Sequence, residues 1–139
     1  MTNLVGNWRL ETNENIDQYM KTIGVGFFLR KLANKITSYE EIKQDGEFWE
    51  IHFTSTFKND VIRFKLGELF EEETMDGKTV KTVMSVDGGK LIQYQNGVKE
   101  GDLDREAVRE LQDEDTMTVT FTAVGTGISA KRIFKRYTK

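Results

Sequence analysis

Short runs of alternating polar and apolar residues, each ended by a glycine turn, constrain this chain more than any other feature. Asp45-Gly46, Asp76-Gly77 and Asp87-Gly88-Gly89 all separate such runs. Aspartate followed by glycine suits the positive φ angles that tight hairpins require. The chain has no proline and 12 glycines, so its turns fall to Gly, Asn and Asp. Trp49, Ile51 and Phe53 share one face of a run, and Glu50, His52 and Thr54 the other. Ile62, Phe64 and Leu66 oppose Val61, Arg63 and Lys65, and Met117, Val119, Phe121 and Ala123 alternate with Thr116, Thr118, Thr120 and Thr122. Order of period two marks antiparallel sheet with one wet face.

The pattern predicts ten strands, at about 5–13, 38–44, 48–54, 60–65, 69–74, 79–86, 90–95, 106–111, 116–124 and 128–137. Between 15 and 36 the spacing changes. Ile16, Tyr19, Met20 and Ile23 keep helical intervals behind Asn13 or Asn15 as a cap, and Phe28, Leu32 and Ile36 repeat at four-residue steps beside Arg30, Lys31 and Lys35. A helix–turn–helix is thus expected between the first two strands. A ten-strand meander removes its edges most simply by closing into an antiparallel up-and-down barrel, wide enough to hold more than its own side chains. A packed all-β domain is the plainer alternative. Either way, residues 1–139 read as a single domain.

Composition narrows the function. Without cysteine there is neither a disulfide framework nor thiolate chemistry. The N-terminus has no signal-peptide pattern and no run approaches the roughly 20 apolar residues of a membrane span, so a reducing, cytoplasmic setting is expected. A net charge of −3 does not favour nucleic acid. His52, the single histidine, has no partners for a metal site or a catalytic relay. It alternates with Ile51 and Phe53, and so should face solvent. Phe27 and Phe28 are expected to pack. No catalytic set emerges, and neither a metal nor a cofactor is implied.

Two arginines carry the strongest chemical signal. Arg132 shares a face with Ile128, Ala130 and Phe134, and Arg109 lies between Ala107 and Leu111. An arginine keeps its proton, so an inward one needs an anion. Without matching carboxylates, that anion would come from a ligand, ideally a carboxylate gripped by the planar fork. Internal pairing, or a one-residue slip that turns both outward, is the competing reading. Glu40 bears on it directly. It shares an inward face with Ile42, where it could pair with an arginine and alter ligand choice.

Gly6-Asn-Trp8-Arg-Leu10, Glu14-Asn-Ile-Asp17-Gln-Tyr19-Met20, Gly24-Val-Gly26-Phe, Ser55-Thr56-Phe57-Lys58-Asn59, Phe64-Lys65-Leu66-Gly67 and Phe70-Glu71-Glu72-Glu73-Thr74 follow one another along the chain. Asp87-Gly88-Gly89-Lys90-Leu91, Val108-Arg109-Glu110-Leu111 and Lys131-Arg132-Ile133-Phe134-Lys135 complete the series. In this order and at this spacing, the chain resembles the intracellular fatty-acid-binding proteins over nearly its whole length. The resemblance implies a flattened, lipocalin-like ten-strand barrel under two helices, a monomer and not an enzyme, carrying one long-chain fatty acid. It implies Arg109 and Arg132 as carboxylate ligands, and Ile16, Tyr19, Met20, Ala33, Phe57, Asp76 and Phe121 at the portal and cavity. Arg30 and Lys31 would touch anionic membranes. A retinoid or isoprenoid acid carrier, and a membrane-apposed structural or regulatory protein, are the alternatives. Phe134 stands where the family carries tyrosine, so the head group loses a hydroxyl donor. Ile16 replaces a usual aromatic residue, and the loop from Asn96 to Asp104 is longer than is common.

Overall fold

The computed structural model describes residues 3–139. Strand β1 (Gly6–Glu14) is followed by helices α1 (Ile16–Thr22) and α2 (Phe27–Lys35), and then by β2 (Ser38–Asp45), β3 (Phe48–Ser55), β4 (Asp60–Lys65) and β5 (Phe70–Glu73). The rest comprises β6 (Thr79–Asp87), β7 (Lys90–Gly97), β8 (Arg105–Asp113), β9 (Thr116–Ala123) and β10 (Ile128–Arg136). Each strand pairs antiparallel with its sequence neighbour where a hairpin permits. The turn between β6 and β7 shows why: Gly88 and Gly89 both have positive φ, 58° and 82°, as a two-residue turn of the mirror type demands.

The meander becomes a ring because β1 pairs with β10, with Trp8 opposite Arg136 and Glu14 opposite Lys131. The sheet order runs β4-β3-β2-β1-β10-β9-β8-β7-β6-β5. The expected barrel is therefore nearly, not fully, closed, since β4 and β5 share no ladder. Aromatic rings bridge this seam. Phe64 of β4 stacks on Phe70 of β5 at 5.9 Å and on Trp49 at 6.3 Å.

Two apolar clusters fill the barrel. One, around Trp8, Ile42, Trp49, Ile51, Met84, Leu91, Met117 and Phe134, packs the end away from the helices. The other joins Ile16, Tyr19, Ile23 and Val25 to Ala123 and Ala130 beneath them. Phe121 touches both clusters.

Several local expectations change. Asn15 sits at the start of α1 in the left-handed region (φ 58°) with no capping bond from its side chain; its amide instead donates to Ser129 O at 2.9 Å, tying the helix to β10. The inward stripe of α2 is Leu29, Leu32, Ala33 and Ile36, whereas Phe27 and Phe28 are 66% and 77% exposed. The threonine face of β9 is not wet at Thr116 and Thr118, both buried; at Thr116, Lys135 of β10 reaches across to Oγ1 at 2.8 Å. The long loop after β7 folds back on itself. Gly97 N donates to Asp104 Oδ1 at 3.0 Å, and a Cβ at Gly97 would meet the Asp102 carbonyl oxygen at 2.8 Å.

Phe64 is buried and is central to the seam. Phe64→Ala should cost about 3–5 kcal/mol in urea unfolding, through lost burial and a cavity that the unladdered edges cannot refill.

Candidate functional site

Between the two clusters lies a cavity of about 260 Å³. Its roof comes from the helices through Ile16, Tyr19, Met20, Leu29 and Ala33, and its walls from Phe53, Phe57, Phe121 and Phe134. The strands impose this arrangement. With a period of two, the residues that cannot turn outward must face either the packed end or the cavity.

Polar groups in the wall form a chain from one side of the barrel to the other. Arg109 donates through Nε and Nη2 to Glu40 Oε1 and Oε2 at 3.0 and 3.4 Å. Its Nη1 donates to Gln93 Oε1 at 2.9 Å. Gln93 Nε2 in turn donates to Glu72 Oε2 at 2.8 Å, and that oxygen also accepts from Thr82 Oγ1 at 2.6 Å and Gln95 Nε2 at 3.1 Å. Glu40 and Arg109 are 6% and 2% exposed. Such a pair is tolerable only because both oxygens of the acid and both sides of the fork are used. The ring of Phe53, 5.8 Å from the guanidinium carbon, covers Arg109 as well.

Arg132 differs. It lines the same cavity, yet its Nε is buried and unpartnered. Burial lowers its pKa below the ordinary arginine value, against a smaller opposing pull from Glu40; the side chain still keeps its proton at neutral pH. Phe134, two residues on, presents a buried ring to the cavity and no hydroxyl.

A second ion pair closes the helix end. Arg105 donates to Asp76 Oδ1 and Oδ2 at 3.1 and 3.2 Å, and Thr74 Oγ1 donates to Asp76 Oδ1 at 2.6 Å. Burial pushes the Asp76 carboxyl up, but the hydrogen bonds from Arg105 and Thr74 and the Arg105 charge outweigh it and hold it below its usual value. Nearby, burial pushes the Tyr19 phenol up to about 12, with Arg105 pulling it down and Asp76 up. Lys78 ties the same turn to the end of α1, donating to Ile23 O at 3.1 Å.

The residues expected at the portal and cavity, Ile16, Tyr19, Met20, Ala33, Phe57, Asp76 and Phe121, all line this one space. Two expectations change, and one residue joins the site. Arg109 does not lack an internal carboxylate: Glu40 occupies its fork. Arg30 is not a free surface cation. Its Nε meets Asp17 Oδ1 at 3.2 Å and its Nη1 donates to Val25 O at 2.8 Å, so it fastens α2 to α1. Arg105 lies one residue before the predicted strand, and its alternation with Ala107 and Arg109 on β8 turns it inward. His52 is on the outer face, 2.8 Å from Glu50 Oε1. Among the described residues no acidic or histidine cluster could hold a metal ion, and no helix is long and apolar enough to cross a membrane.

A barrel capped by two helices, with an apolar cavity and arginines in its wall, defines a lipid-binding class. The particular family is shown by comparison: residues 5–139 match the lipocalin / cytosolic fatty-acid binding protein family, and the chain belongs to it. It is 47% identical over 103 residues to sodium/calcium exchanger regulatory protein 1 of Doryteuthis pealeii, covering 74% of this chain and 78% of that one. It is 40% identical over 137 residues to a fatty acid-binding protein of Lepidoglyphus destructor, covering 98% and 99%. The Schistosoma mansoni fatty acid binding protein, solved in complex with arachidonic acid, superposes with a TM-score of 0.90 at 34% identity, covering 99% of this chain and 98% of that one. The family consists of lipid carriers, not enzymes.

The Arg105–Asp76 pair should leave a pH signature. A carboxyl held below its unfolded value of about 3.9 stabilises the fold above that pH and loses the contribution as pH falls through its folded value. Asp76→Ala should therefore cost about 3 kcal/mol at neutral pH by leaving Arg105 buried and unpaired. Urea unfolding of the two proteins should converge as the pH is taken below about 4.

Proposed function

We propose that the protein carries one long-chain fatty acid, or a similar acidic lipid, through the cytoplasm as a monomer, with the ligand carboxylate on Arg132. The observation that carries this reading is the buried, unpartnered Nε of Arg132 in the wall of an otherwise largely apolar cavity. A planar fork without an anion is the natural receptor for a carboxylate. The apolar walls supply most of the affinity, at about 0.8 kcal/mol per buried methylene, and the arginine sets which end points inward. The arachidonic acid complex of the Schistosoma mansoni relative supports the ligand class.

Delivery at membranes is the second part of the proposal. Phe27 and Phe28 are exposed beside Lys31 and Lys35, and the Lys31 ammonium lies 5.3 Å from the Phe27 ring centre. Apolar rings beside cations suit an anionic bilayer surface. The name of the Doryteuthis pealeii relative, a sodium/calcium exchanger regulatory protein, favours a membrane-apposed regulatory role as the second reading.

Two measurements test these parts. Arg132→Gln should weaken oleate binding about tenfold, or about 1.5 kcal/mol, and leave methyl oleate nearly unchanged; equal losses would make Arg132 structural. Transfer of a fluorescent fatty acid to vesicles, followed by stopped flow, should speed up with anionic lipid and slow with salt. The double variant Lys31→Glu/Lys35→Glu should remove both dependences and leave ligand affinity intact. Wild-type rates indifferent to vesicle charge would exclude delivery by collision.

A further inference from the structure

We propose that Glu40 is the specificity-determining residue of the cavity: it stands on Arg109 as a ligand carboxylate would, leaves one anion site, at Arg132, and so keeps the cavity open to neutral-headed lipids as well as acids. The inference rests on the carrier reading above and deepens it.

The Arg109 fork meets Glu40 edge to edge, Nε to Oε1 and Nη2 to Oε2, the same bidentate geometry that it would offer a ligand acid. Its third nitrogen is held by Gln93. A fatty acid carboxylate would have to displace Glu40, and a buried carboxylate without its cation is costly. The wider charge pattern agrees. Asp76 neutralises Arg105, Glu40 neutralises Arg109, and Glu72 adds an anion held by the neutral donors Thr82, Gln93 and Gln95. Arg132 therefore stands as a local attraction within an interior that has no excess of positive charge, and Glu40 offsets part of its pull. Phe134 presents a ring without a hydroxyl to the cavity, and so adds no donor for an acid.

The preference for acid over ester should accordingly be modest in the wild type, about tenfold, the worth of one charged hydrogen bond. Glu40→Gln removes the occupant's charge, gives the ligand a second guanidinium and should widen the oleate preference over methyl oleate by about tenfold again, through tighter oleate binding.

Isothermal titration with oleate and methyl oleate tests this on the wild type, Glu40→Gln and the double variant Glu40→Gln/Arg109→Gln. The double variant removes both charges of the pair together, which protects folding. Its oleate-to-ester ratio should equal that of the wild type, because Arg109 holds no ligand there. A ratio that collapses in the double variant would mean that Arg109 already grips the carboxylate, and would overturn the proposal. So would a Glu40→Gln protein that folds and binds methyl oleate normally, yet shows no gain for oleate. Loss of both ligands from the wild type itself would instead refute the carrier reading.

Discussion

The ladder between the first and last strands is the constraint on which the rest depends. Hairpins alone would make an open, twisted ribbon, since each strand needs only the next. Trp8 to Glu14 against Arg136 to Lys131 couples residues more than a hundred positions apart, and only then does the inner face become an inside. Closure of so distant a contact is entropically expensive, and it is reinforced from several sides. Arg136 lies over the Trp8 ring at 4.3 Å and donates to Val5 O at 2.9 Å, while Asn15 anchors the helices to β10 through Ser129. The enclosed space, its helical lid and the burial of its arginines all follow.

Once the inside exists, its charges have to be settled. An ionised group buried away from bulk solvent needs a partner or a set of oriented donors. The protein solves this in two ways within one cavity, by ion pairs at Arg105 and Arg109 and by neutral donors at Glu72, and leaves Arg132 Nε without a partner. On the proposed function, that nitrogen is where a ligand carboxylate would have something to offer.

The strands were legible because period two and Asp-Gly turns are local signals, and the inward faces of β8 and β10 followed from them. Glu40 and Arg109 were both placed inward, yet their meeting was not legible: 69 residues separate them, and only barrel curvature brings β2 across from β8. Helix α2 misled for a different reason. Phe28, Leu32 and Ile36 make as good a stripe as Leu29, Leu32 and Ile36, and the choice is made by what lies beneath, not by periodicity. Arg30 looked like a surface charge because nothing in its neighbourhood announces Asp17 and the Val25 carbonyl as partners. Near-closure was invisible too, since an edge that never finds its mate has the same sequence as one that does.

That seam sets how the protein behaves in a crowd. An unladdered pair of strands exposes free amides and carbonyls, the usual template for copies of a chain to add to one another. Here β5 has only four residues, and its outward positions are Glu71 and Glu73, while β4 turns Arg63 and Lys65 outward. Two β5 edges meeting face to face would align glutamates, and two β4 edges would align cations, so both symmetric pairings begin with repulsion. Within one molecule the signs are opposite, and Lys58 reaches to within 3.9 Å of Glu73 across the gap. Glu73 therefore serves twice: it meets Lys58 across the seam within one barrel, and it repels its counterpart on the β5 edge of another.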